Sequence, residues 1–168
     1  MKTITRTTTY QMVAGIILTA TLALSAAAQT YVPFKGTFQG NDTVIPPTLT
    51  QRITGTGTHI GQFSSTTYLT LAGSGGTGTG EWIAANGDKI DTTVVGSSEH
   101  VEMAHCQVVG AQPGDSYVKI TQIHTITGGT GRFAGAQGSF QVVRLASAVT
   151  FLTSGSVLGM ITSPGAAH

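Results

Sequence analysis

The chain reads as an all-β protein, a closed antiparallel β-barrel of about eight strands. Three observations lead there. Apolar and polar residues alternate with period two through stretches rich in Val, Ile and Thr, the pattern of pleated strands with one face on a core. Glycine, Asn-Gly and Pro-Gly punctuation recurs between these stretches, and no amphipathic helix stands out after residue 28. Glycines inside the strands mark bulges or sharp curvature, and charged gatekeepers of a sheet edge are missing. Closure, which leaves no edge to protect, accounts for both.

Met1–Ala28 is read as an export leader rather than part of the fold. Lys2 and Arg6 form its basic start, Met12–Leu24 its apolar run, and Ser25-Ala26-Ala27-Ala28 a small-residue cleavage site before Gln29. The apolar run falls short of the roughly 20 residues that span a bilayer. The expected product is one domain, residues 29–168, working in the periplasm or outside the cell, with no membrane association after cleavage. It keeps six Lys and Arg against seven Asp and Glu, so the chain's formal +1 belongs to the leader. A domain without a basic patch is a poor partner for nucleic acid. Cys106 is the only cysteine, which excludes an intramolecular disulfide. It reads as a small buried hydrophobe, with a catalytic or intermolecular thiol as the alternative.

Along the domain, Tyr31–Gln39 is the first strand, and Asn41–Thr50 is expected to be a loop because Pro46-Pro47 cannot enter a ladder. Gln51–His59 is a Thr/Gly strand; Gly61 permits a bend, and Phe63–Ala72 continues extended. Gly78–Val95 is a hairpin around Asn86-Gly87-Asp88, with Trp82, Ala84, Ile90, Thr92 and Val94 on its arms. His100–Val109 is a strand and Gln112–Asp115 a turn. Tyr117–Arg144 then repeats the device on a larger scale: Val118, Ile120, Gln122, His124 and Ile126 share one face, Gly128-Gly129-Thr130-Gly131 breaks the run, Phe133 anchors a compact bend, and Ser139–Arg144 resumes alternation. Ala148–Thr153 and Val157–Thr162 are expected to form a last pair around Ser154-Gly155-Ser156. Neither Gly73–Gly80 nor Gly129–Gly135 reads as a phosphate-binding loop, since the first lacks the Gly-Lys-Ser/Thr ending and the second runs into a strand instead of a helix.

Three segments in this order carry a family resemblance: Thr58-His59-Ile60-Gly61-Gln62-Phe63, Ala84-Ala85-Asn86-Gly87-Asp88, and Gly128-Gly129-Thr130-Gly131-Arg132-Phe133-Ala134-Gly135-Ala136. The last is the most specific. Together they resemble bacterial exported proteins of the allene oxide cyclase barrel-like group, whose fold is shared with plant dirigent proteins. The likeness runs over about Phe34–Ile161. It implies an eight-stranded antiparallel barrel with an apolar cavity, assembled as a homo-oligomer, trimer or dimer. It brings no catalytic set: neither the cyclase's asparagine–glutamate–proline cluster nor the dirigent acidic pair maps onto this chain.

Candidate chemistry is sparse. His100, Glu102 and Cys106 would share a strand face with His105 opposite. One strand converges only two ligands, so His59 or His124 would have to complete a metal site; no metal is expected. Gln122 and His124 are of more interest because they share the apolar face of their strand. If that face lines the lumen, His124 and Gln122 contact a ligand there, with Trp82, Phe63 and Cys106 as further candidate contacts; if it lies outside, it packs on other subunits. The functional expectation is a secreted barrel that binds a small apolar molecule or serves as an interaction module. The alternative is a cyclase or isomerase, independent of any cofactor, that confines a hydrophobic substrate in the lumen.

Overall fold

A computed structural model of the chain describes residues 29–101, 115–162 and 164–165. The proposed leader, Glu102, His105, Cys106 and most of the Gln112–Asp115 turn lie outside the described residues. Eight strands close an antiparallel barrel in sequence order: β1 (Tyr31–Ile45), β2 (Thr48–Gly57), β3 (Gly61–Ala72), β4 (Gly75–Ala84), β5 (Lys89–Val101), β6 (Tyr117–Gly129), β7 (Gly138–Ser147) and β8 (Leu152–Thr162). The fold class read from the sequence is the fold observed. β1 and β8 seal the seam from Tyr31↔Thr162 to Asn41↔Leu152.

Two local expectations change. Asn41–Ile45 is not a loop but the end of β1, paired with Thr48–Arg52 of β2, and the turn is Pro46-Pro47 alone. Strand pairing on both sides of Asn41, and for Asp42 pairing with Gln51 on one side and a bond to the Phe151 carbonyl on the other, outweighs their poor intrinsic strand preference, while the two prolines sit where no ladder bond is required. Similarly, Ser154-Gly155-Ser156 is no turn: β8 runs through it unbroken. Gly155 lies opposite Arg144, where a Cβ would press on the Arg144 Cβ at 2.7 Å, so the glycine leaves room for a neighbour instead of reversing the chain.

Alternation sorts side chains by face. Every second residue of β6 points inward, with Gln122, His124 and Ile126 buried and Val118 and Ile120 partly so, while Ile123 and Thr125 face out. The β5–β6 ladder shifts register between Asp91 and Thr92, so that Asp91 pairs with Gly128 and Thr92 with Ile126. This bulge twists the strand into its closing turn.

The lumen is layered. At one end, Phe34, Phe38, Ile53, Phe63, Trp82, Ile90, Phe133, Phe140 and Ile161 form the large apolar cluster. Each such side chain taken out of water contributes roughly 1.5–3 kcal/mol. Trp82 is its centre, with ring centroids 4.9 Å from Phe63 and 5.1 Å from Phe140. At the other end stands a small cluster of Leu49, Leu69 and Val94, with Leu71 against it.

The apolar end is stoppered by the 3-10 turn Gly131–Phe133, which inserts a fully buried Phe133. Arg132 holds this stopper from outside. Its Nε lies 3.0 Å from Asp88 Oδ2, its Nη2 donates to the Ile60 carbonyl, and its guanidinium sits 5.2 Å from the centre of the Phe133 ring. Asp88 is itself fixed by Asn86, whose Nδ2 donates to Asp88 Oδ2 at 2.8 Å. The three segments that carried the family resemblance are therefore one cap, built from three turns on the same rim.

Candidate functional site

Between the two apolar ends lies a belt of buried polar side chains. Asp42 from β1, Gln51 from β2, Ser65 and Thr67 from β3, Thr92 from β5, Gln122 and His124 from β6, Arg144 from β7 and Thr153 from β8 are all buried. The strand that predicted the lumen face supplies its two central members.

His124 is stacked on Phe140, centroids 5.0 Å apart and planes 11° from parallel, and stands edge-on to Trp82. The Trp82 Nε1–H points at His124 Nδ1 over 3.4 Å, so that nitrogen accepts and the ring proton sits on Nε2. Thr92 Oγ1, with one proton to give, lies 3.0 Å from Nδ1 and 3.1 Å from the Gly80 carbonyl. Gly80 completes this corner. A Cβ there would come within 2.9 Å of Thr92 Oγ1 and 3.2 Å of His124 Cε1. Burial, with the Arg144 charge second, lowers the His124 pKa to about 3, so the imidazole is neutral at ordinary pH.

Nearer the other end, Arg144 and Asp42 form a buried ion pair. Arg144 Nη1 donates to Asp42 Oδ2 at 2.6 Å and to Thr153 Oγ1 at 3.1 Å. Burial raises the Asp42 carboxyl above its usual range, and the Arg144 charge and hydrogen bond pull the other way without overcoming it. The pair lies at the floor of a cavity of about 260 Å³ walled by Leu49, Leu69, Leu71, Val118, Ile120 and Ala146, with the Phe151 ring at its edge. Gly76 and Gly96 line it too, and their lack of side chains keeps that wall thin. Phe151 adopts a left-handed φ of +58° in the β7–β8 turn, where its carbonyl accepts from the Asp42 N–H at 2.9 Å. Two shallow depressions, of about 630 and 640 Å³, lie on the outer face around β1 and β2; Thr, Ser and Gln make up about half of their lining, and Phe63 lines the first.

The sequence-predicted residues divide as follows. His124, Gln122, Trp82 and Phe63 all lie buried inside the barrel, in the packed layers beneath the cavity rather than on its walls. Cys106 lies outside the described residues. His59 and His100 are exposed whereas His124 is buried, and no group of three or more metal-ligating side chains converges among the described residues. Asp42 and Arg144, the charged floor, were passed over in the sequence because they are 102 positions apart and each looks like ordinary strand-surface charge. One signal was available: Arg144 falls in phase with Phe140 and Val142, the inward residues of its strand.

No family model matches the chain, and no curated protein matches it. Among solved structures, it is similar to the pterocarpan synthase dirigent protein GePTS1. The TM-score is 0.51 at 11% identity, over 83% of this chain and 89% of that one. At that identity the likeness concerns the fold: an eight-stranded closed barrel of the dirigent kind.

Proposed function

We propose that the protein is an exported barrel that binds a small, largely apolar molecule in the cavity above Arg144 and Asp42. The observation that carries the reading is the cavity itself. A half-open space of about 260 Å³ has mostly apolar walls, four serines among its lining residues and one buried charged pair at its floor, the combination of greasy lining and few charged groups that marks ligand pockets. A dirigent-like fold supports it without specifying it, since one fold hosts many functions. Cleavage before Gln29, action in the periplasm or outside the cell and assembly into a homo-oligomer belong to the same proposal. They rest on the leader-like Met1–Ala28 and on the family resemblance.

The neutral fluorescent probe N-phenyl-1-naphthylamine tests it. Its emission should rise on binding with micromolar affinity. Filling the cavity from its wall by Ala146→Phe should weaken binding at least tenfold, about 1.4 kcal/mol, while the thermal midpoint stays within a few degrees. Equal binding by the folded variant would place the probe elsewhere and sink the reading.

A further inference from the structure

The cavity's apolar walls conceal a chemical bias in its floor. Among the described residues Arg144 uses only Nη1, toward Asp42 and Thr153. Its Nε and Nη2 are buried and have no acceptor among the described residues. Both can only donate. They form the side edge of the guanidinium, the edge that takes a carboxylate through two parallel hydrogen bonds. Behind the floor the same bias continues. Gln51 Nε2, Gln122 Nε2 and the proton-bearing His124 Nε2 are buried donors without an acceptor among the described residues, against Gln122 Oε1, Asp42 Oδ1 and Asp115 Oδ1 as acceptors in the same condition and the Ser65 hydroxyl, which can act as either. What complements this floor is a ligand head that accepts.

We propose that the cavity's ligand is a small carboxylic acid, its apolar body against Leu49, Leu69, Ile120 and Ala146 and its carboxylate on the Nε/Nη2 edge of Arg144. The assignment rests on the reading of the cavity as a ligand site and adds the head group to it. It has a second consequence at Asp42. An arriving carboxylate shares Arg144 with Asp42, and two like charges on one cation favour protonation of one of them. Asp42 is the one that takes a proton from solvent, because burial already raises its carboxyl. Arg144 from β7 is the charged group acting on it, and its neighbours Gln51 on β2 and Thr153 on β8 are neutral. Once protonated, Asp42 also becomes a hydrogen-bond donor. Binding therefore takes up about one proton.

The experiment is calorimetric titration of the wild-type protein with octanoate, 1-octanol and octylamine, which share a chain and differ in head group. Octanoate is expected to bind at least tenfold more tightly than octanol, with octylamine weakest. Repeating the octanoate titration in two buffers of different ionisation enthalpy should show uptake of close to one proton, and none for octanol. Asp42→Asn, which removes the carboxylate that competes for Arg144, should bind octanoate more tightly than wild type and lose the uptake. Equal affinities for octanoate and octanol would overturn the carboxylate assignment and leave the cavity reading standing. Binding of none of the three would overturn both. Tight octanoate binding without proton uptake would remove the role given to Asp42.

Discussion

At the scale of single residues, two buried titratable groups push stability in opposite directions with pH. His124 is held neutral in the fold, with its pKa lowered from 6.5 to about 3, whereas in the unfolded chain it protonates normally. Between those values the unfolded state binds the extra proton, so His124 contributes fully above about pH 6.5 and its share is lost as pH falls toward 3. The loss approaches 1.4 kcal/mol per pH unit and totals on the order of 4–5 kcal/mol. Asp42 has the reverse sign. Its folded pKa is raised, so the folded state is the better proton binder and stability falls as pH rises from 3.8 through the folded value. Urea unfolding from pH 7 to pH 3 should show the His124 slope in wild type and lose it in His124→Phe. Asp42→Asn should steepen it by removing the opposing contribution. An unchanged slope in His124→Phe would mean that the ring is not held neutral. The ion pair makes a separate prediction. Arg144→Met leaves the Asp42 carboxylate buried alone and should cost about 3–5 kcal/mol, while Asp42→Leu combined with Arg144→Met should recover most of it. A double variant no better than the single would show that the pair contributes more than its own burial costs.

Elements were legible to the degree that their signals were local. The alternation of β6 and the Asn86-Gly87-Asp88 turn were legible because a period of two and a glycine turn are written in consecutive residues, whereas which face of β6 looks into the lumen was left open and is settled only by closure of the barrel. Asn41–Ile45 was misread as a loop because what makes it a strand is its partners, Leu152 on one side and Thr48–Arg52 on the other. Glycine misled at Gly155 for a related reason: a residue without a side chain serves both turns and crowded lumen positions, and sequence alone does not say which. Asp42 and Arg144 meet only when the barrel closes, so no spacing rule reaches them. The stopper offers a test at this scale. Gly131 has φ +58°, and a Cβ there would land on the Asp88 carboxylate, so both backbone and space exclude a side chain. Gly131→Ala should cost about 2–4 kcal/mol in denaturant unfolding. Arg132→Ala, which removes a partly exposed ion pair, should cost about 1 kcal/mol or less. The reverse ranking would mean that charge, not fit, holds the stopper.

For the whole molecule, closure makes the strands interdependent. The first and last described strands form one seam, so no subset of strands completes the lumen without the others. Trp82 fluorescence from the apolar end and far-ultraviolet circular dichroism from all strands should therefore report a single coincident transition. Separated midpoints would show that the two ends of the lumen unfold independently. Deleting Leu152–Thr162 should expose the pairing edges of β1 and β7 and give an aggregating product rather than a seven-stranded barrel.

The same seam fixes where the chain enters and leaves. Tyr31 pairs with Thr162 on the stoppered rim, beside Phe133, while the cavity lies toward the opposite rim, between the β1–β2 and β7–β8 turns. Whatever precedes Tyr31 or follows Thr162 departs from the closed end. A tag, a fused domain or a tether to a surface attached at either point would leave the cavity end facing away from the attachment, toward the medium. In such a fusion the barrel stands like a cup fixed by its base.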